Sequence, residues 1–239
     1  MEKKSIKNIR AIMPQPVQPD WDEEKLPMLE LKYSFSQCTG DIQENSHMLW
    51  VDVEIMYGKG IGGYYGSVVK EDKKCIGRAM VKLLRWERAD RLGDSGYVNG
   101  FGSQSGIESV LFTDDISENE LKPHWAEEMK DCANKNILII QWIELDEAYR
   151  GKGWGKLVMK QILHSFDDAC GIVLAYPGDV QGIWLRDMPE YIPFFESVGF
   201  SRMNEEDYRP WSDIPIMYLN MYKPNEKLNE IITYAVCDY

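Results

Sequence analysis

Nowhere in this chain of 239 residues do about 18 apolar side chains run together, so no segment reads as a bilayer-spanning helix. Its opening, Met1-Glu-Lys-Lys-Ser-Ile-Lys-Asn, is charged, and no apolar stretch of leader type follows it. The expectation is a cytoplasmic protein without a membrane partner. Cysteines are few and scattered: Cys38, Cys75, Cys132, Cys170 and Cys237 are odd in number and never spaced Cys-x-x-Cys. That argues against a disulfide framework and against a cysteine zinc site. His47, His124 and His164 are isolated, and neither His-x-x-x-His nor His-Glu-x-x-His occurs. Metal hydrolases lose their usual ligand sets, and no metal is expected. Positive charge is also short. Against 39 acidic residues stand 27 lysines and arginines, a formal net charge of −12. Such a field repels nucleic acid and favours cationic partners such as amines or basic peptides, although plain solubility accounts for the same number.

What is present suffices to fold. A hydrophobic content of 44%, with 12% aromatic residues, supplies a core, and the length suits one large domain. Residues 1–30 carry Pro14, Pro16, Pro19 and Pro27 among acids and Trp21, and read as an extended N-terminal arm. Residues 31–239 are expected to form a single domain.

Strand patterns come first. Leu31 to Gln37 alternates, Met48 to Tyr57 is strongly β, and Cys75 to Trp86 continues the pattern. The glycines Gly58, Gly60, Gly62 and Gly63 lead into more β sequence, so they read as a hairpin or loop rather than a phosphate loop. Ser117 with Glu120 three residues on has the form of a capping box and predicts a helix running to about Lys130. Ile137 to Leu145 is a near-continuous apolar run, the mark of a strand buried on both faces. Val158, Met159, Ile162, Leu163 and Phe166 then recur at helical spacing, with Lys156 and Lys160 placed off that face. A buried strand from Ile172 to Tyr176, a helix over 188–198 capped by Gly199 and a strand from Ile216 complete the order. This alternation predicts an α/β fold with a mixed sheet.

Between the strand ending at Leu145 and the helix that follows lies Arg150-Gly-Lys-Gly-Trp-Gly-Lys156. A helix N-terminus presents unpaired N–H groups and the positive end of its dipole, so it attracts phosphate. Gly151, Gly153 and Gly155 remove Cβ atoms that would hold an anion away. Arg150, Lys152 and Lys156 reverse the sign of charge locally in an acidic chain. Gly155-Lys156 is followed by Leu157, which breaks the P-loop pattern, and the spacing Gly-x-Gly-x-Gly breaks the Rossmann pattern.

Leu145 to Lys156 resembles the acyl-CoA-binding motif of the GNAT acetyltransferase superfamily, Arg/Gln-x-x-Gly-x-Gly/Ala, on Arg150, Gly153 and Gly155. Pro193-Phe-Phe-Glu-Ser-Val-Gly-Phe resembles that family's C-terminal helix and strand signature. The resemblance covers about residues 45–222 and implies a GNAT-like mixed, mostly antiparallel central sheet flanked by helices. It implies acetyl-CoA as cosubstrate and an amine of a small molecule or protein as acceptor. Ile143 and Leu145 would pair with pantetheine through their backbone, and the loop from Arg150 through Gly151, Lys152, Gly153, Trp154, Gly155 and Lys156 would hold the pyrophosphate, with Arg150's side chain in support. A homodimer is left open.

The resemblance weakens at proton transfer. The family's usual Tyr acid falls at Phe195, which donates nothing; Tyr191, one turn earlier, is the substitute candidate. Strict alternation puts Gln141 and Ile143 on one face and Trp142 and Glu144 on the other. Glu144 is the nearest carboxylate, and it reaches the site as a base only if a bulge re-aims it. Water as proton acceptor is the remaining option. A CoA-binding sensor or interaction module without catalysis is the alternative function.

Overall fold

The computed structural model describes residues 26–36, 48–60, 73–87, 110–111, 121–175, 191–208 and 215–230. The N-terminal residues 1–25, the glycines at 62 and 63, the capping box at 117–120 and Trp184 lie outside them. The described elements are β1 (Leu26–Ser36), β2 (Met48–Gly60), β3 (Lys74–Leu84), α1 (Pro123–Met129), β4 (Ile137–Leu145), α2 (Trp154–Ser165), β5 (Ile172–Ala175), α3 (Tyr191–Ser197), β6 (Ser201–Arg202), α4 (Glu205–Tyr208) and β7 (Met217–Asn220).

They form a seven-stranded sheet in the order β1-β2-β3-β4-β5-β7-β6. β4 and β5 pair in parallel, and the remaining neighbours pair antiparallel. A parallel pair needs a crossover, and α2 supplies it. One face of the sheet, carrying Val51, Val53, Val81, Leu138 and Ile140, packs on Val158, Met159, Ile162 and Leu163 of α2. The other face, carrying Ile137, Ile139, Ile172 and Leu174, packs on Trp125 and Met129 of α1. β4 and β5 are therefore covered on both sides, as their unbroken apolar runs predict.

Three expectations change. β1 begins at Leu26 rather than 31, and Pro27 is accommodated because β1 edges the described sheet, where a missing N–H breaks no ladder. The helix that carries Trp125 and Met129 begins at Pro123, not Ser117: Leu121 and Lys122 are not helical, and proline fits the first turn where its absent N–H costs nothing. Strict alternation along β4 also fails. Val81 pairs with Ile140 and Met80 with Trp142, so Gln141 is the extra residue of a bulge. Parity switches there, and the α2 side carries Leu138 and Ile140 before the bulge and Ile143 and Leu145 after it.

Candidate active site

β5 pairs with β4 only from Ile137 to Ile140. Over residues 141–145, β4 continues with no strand on its β5 side among the described residues. Backbone direction follows from the other edge. The Asp146 N–H donates to the Ile76 carbonyl on β3 at 2.7 Å. Successive residues of a strand turn their N–H and C=O groups to opposite edges. The groups of Ile143 and Leu145 therefore face the open edge.

At the end of that edge the chain makes a short turn, Glu147–Tyr149, and enters α2. Gly151 and Gly153 have φ of 70° and 85°, left-handed values that favour glycine. Gly153 is the N-cap of α2, so no side chain caps the helix. The first amides to turn back are those of Lys156 and Leu157, which donate to the Gly153 carbonyl at 3.1 and 3.3 Å. Among the described residues, the amides of 151–155 have no protein acceptor. They form a cluster of donors at the positive end of a 12-residue helix.

The glycines are not equivalent. A Cβ on Gly151 or Gly153 would meet nothing within 4 Å. One on Gly155 would lie 3.2 Å from Phe194 of α3 and 4.0 Å from Leu145 Cδ1. Gly155 thus lets α2, α3 and the end of β4 converge. Trp154 is half-buried and packs edge-on against Tyr57 at 5.5 Å, anchoring the first turn to β2.

The charged candidates are placed as follows. Arg150 turns back on β4: its Nε donates to the Leu145 carbonyl at 2.7 Å, and its guanidinium lies 3.5 Å from Glu144 Oε1. Lys152 donates to the Ala148 carbonyl at 2.8 Å, and Lys156 is exposed. Glu144 is exposed beside Arg78 on the face away from Ile143 and Leu145. The bulge at Gln141 turns Glu144 away from the α2 side that Ile140 faces and brings Ile143 and Leu145 there instead. Tyr191 opens α3, and its side chain lies outside the described residues. Phe195 is buried between Phe194 and Phe200, a core position.

Lys160, expected off the apolar face, is buried, and its Nζ has no hydrogen-bond partner among the described residues. Trp86 and Trp125 are core residues, and Trp50 stacks under the Lys82 ammonium at 3.8 Å. Trp142, beside the bulge, holds a buried Nε1 without a hydrogen-bond partner among the described residues. The acidic segment at 204–207 contributes Asp207, 3.9 Å from His124 Nδ1 at the start of α1, across the sheet from α2. Burial pushes the His124 imidazole below its usual pKa, with Asp207 opposing.

No family model matches the chain, and no curated protein matches it. Among solved structures it is similar to a GNAT-family chain from Desulfovibrio desulfuricans, at 14% identity and a TM-score of 0.35, over 72% of this chain and 69% of that one. Arabidopsis thaliana NAA60 in complex with a bisubstrate analogue is similar at 11% identity and 0.35, over 72% and 75%. Arylalkylamine N-acetyltransferase 2 from Aedes aegypti is similar at 13% and 0.35, over 71% and 73%. On its own strand order, and on the loop joining β4 to α2, the fold is GNAT-like. The GNAT-like sheet brings Ile143, Leu145 and the 150–156 loop together at one end of β4. No helix among the described residues is long and apolar enough to cross a membrane.

Proposed function

We propose that this chain is an N-acetyltransferase that moves an acetyl group from acetyl-CoA to a primary amine of a small molecule or protein by direct attack. One observation carries the reading: the unpartnered amides of 151–155 stand at the end of an open strand edge. The amides suit a pyrophosphate, and the edge at Ile143 and Leu145 suits the amide groups of pantetheine, taken as an added strand. Lys152 and Lys156 add positive charge beside the amides. Acetyl-CoA supplies an activated thioester carbonyl and a thiolate leaving group. An N–H of Ile143 or Leu145, aimed at the open edge, donates to the carbonyl oxygen as charge develops there.

An alkylammonium acceptor must first lose a proton, which costs roughly 4–5 kcal/mol at neutral pH. On the α2 side β4 offers only Leu138, Ile140, Ile143 and Leu145, none of which takes a proton, and water is the acceptor in this reading. Glu144, on the opposite face and engaged with Arg150, is not given the role of base. Phe195 offers no proton to the sulfur, which leaves as thiolate.

Calorimetric titration with CoA, followed by acetyl-CoA with a panel of amines and a thiol reagent, tests the reading. We expect CoA binding that a folded Arg150→Ala/Gly153→Asp double variant loses, and thiol release that depends on the amine. Unchanged CoA affinity in that variant would sink the binding assignment. Binding without amine-dependent release across the panel would favour the second reading, a CoA-responsive sensor or interaction module, to which the buried Phe195 points.

A further inference from the structure

Within that acyl-CoA reading, we propose that Arg150 is a positioning residue, which braces the phosphate loop against β4 and closes off the end of the open edge instead of gripping phosphate. Two of its three guanidinium nitrogens are engaged inside the protein. The Leu145 carbonyl faces the open edge, and Arg150 Nε–H donates to it at 2.7 Å. That bond spans the Glu147–Tyr149 turn and fixes the point at which the chain enters Gly151. The second nitrogen lies 3.5 Å from Glu144 Oε1.

Glu144 itself stands in a row of charges. The strand registers place Lys32, Glu54, Arg78 and Glu144 side by side on four successive strands, all exposed and alternating in sign. Arg150 extends that row to the loop. A ladder of this kind favours one orientation of each side chain, since its neighbours on either side carry the opposite charge. The planar fork of arginine suits two acceptors at fixed angles, which lysine does not match.

Two consequences follow for ligand binding. The Leu145 carbonyl is taken, so an added strand has the Ile143 N–H and C=O and the Leu145 N–H to pair with. The edge therefore ends at a defined group, which fixes the register of whatever lies along it. The 151–155 amides, anchored through Arg150, keep their direction before the ligand arrives.

The test is a double-mutant cycle on CoA affinity, measured by calorimetry with melting temperatures recorded alongside. We expect Glu144→Gln and Arg150→Gln each to weaken CoA by about three- to tenfold, as for one lost charge-assisted contact. The double variant should bind no more weakly than Arg150→Gln alone, because both changes break one device. Arg150→Lys should not restore affinity. Melting temperatures should stay unchanged, since an exposed ion pair adds little to stability. A Glu144→Gln variant that binds CoA as well as or better than the wild type would overturn the proposal, because a freed guanidinium would then be serving the phosphates directly. Full affinity in Arg150→Lys would overturn it too. A wild-type chain that fails to bind CoA would instead remove the acyl-CoA reading itself, and this inference with it.

Discussion

Lys160 lies on α2 with Val158, Met159, Ile162 and Leu163, at 9% exposure. Its ammonium has no hydrogen-bond partner among the described residues. Burial disfavours the charged form and lowers its pKa from the ordinary 10.5. In the unfolded chain the amine keeps its proton until the pH nears 10.5; in the folded chain it releases it sooner. The cost of the buried charge is thus complete below the folded value and fades as the pH rises from there towards 10.5. Lys160→Met keeps the stem and removes the charge. At pH 7 it should stabilise the fold by about 1 kcal/mol, or about 2–4 °C in melting temperature for a chain of this size. Melts at a series of pH values should show that gain shrinking as the solution becomes alkaline. A variant that melts lower than wild type at pH 7 would refute the account. Periodicity alone misplaced this residue because, at about 100° per residue, Lys160 stands only about 60° from Leu163, at the rim of the apolar face.

At the scale of the element, the start of α2 sets two glycines against each other. Gly153 needs its left-handed φ of 85° and has open space around it, whereas Gly155 is helical and faces Phe194 at 3.2 Å. Gly153→Ala should therefore destabilise by about 1–2 kcal/mol through backbone strain. Gly155→Ala gains about 1 kcal/mol of helix propensity and loses a similar amount by displacing the ring, so it should be near neutral. Adding Phe194→Leu to Gly155→Ala should then raise stability above that of Phe194→Leu alone. Denaturant melts of the four variants check this, and equal losses at the two glycines would refute it. The loop's donor-rich, basic character was legible in the sequence because its glycines, basic residues and helix start are contiguous. The reason for Gly155 was not, because Phe194 meets it from another helix. The bulge at Gln141 was equally hidden: it lies inside an apolar run where counting residues assigns faces and only pairing with β3 shows the skipped position.

Across the whole molecule, the order of elements along the chain was enough to predict the mixed sheet, since two buried strands joined by an amphipathic helix form a parallel pair. Charge acts at this scale as well. The net charge is −12, yet Arg150, Lys152 and Lys156 lie within one loop. In the proposed complex those local charges would act within a few ångströms of the phosphates, inside the screening length of about 8–10 Å at ordinary salt. The acidic remainder acts beyond it, on molecules still approaching. An amine acceptor of the proposed reaction would be drawn in by that outer field, and the more so the more positive charges it carries. Between about 20 and 200 mM salt, kcat/KM for a polyamine should fall by about three- to tenfold, within the range of electrostatic steering. A singly charged amine of similar bulk should change by less than half as much on a logarithmic scale. Initial rates at subsaturating acceptor and saturating acetyl-CoA measure both slopes. Parallel slopes for the two amines would mean that the acidic surface serves solubility alone and has no part in choosing the acceptor.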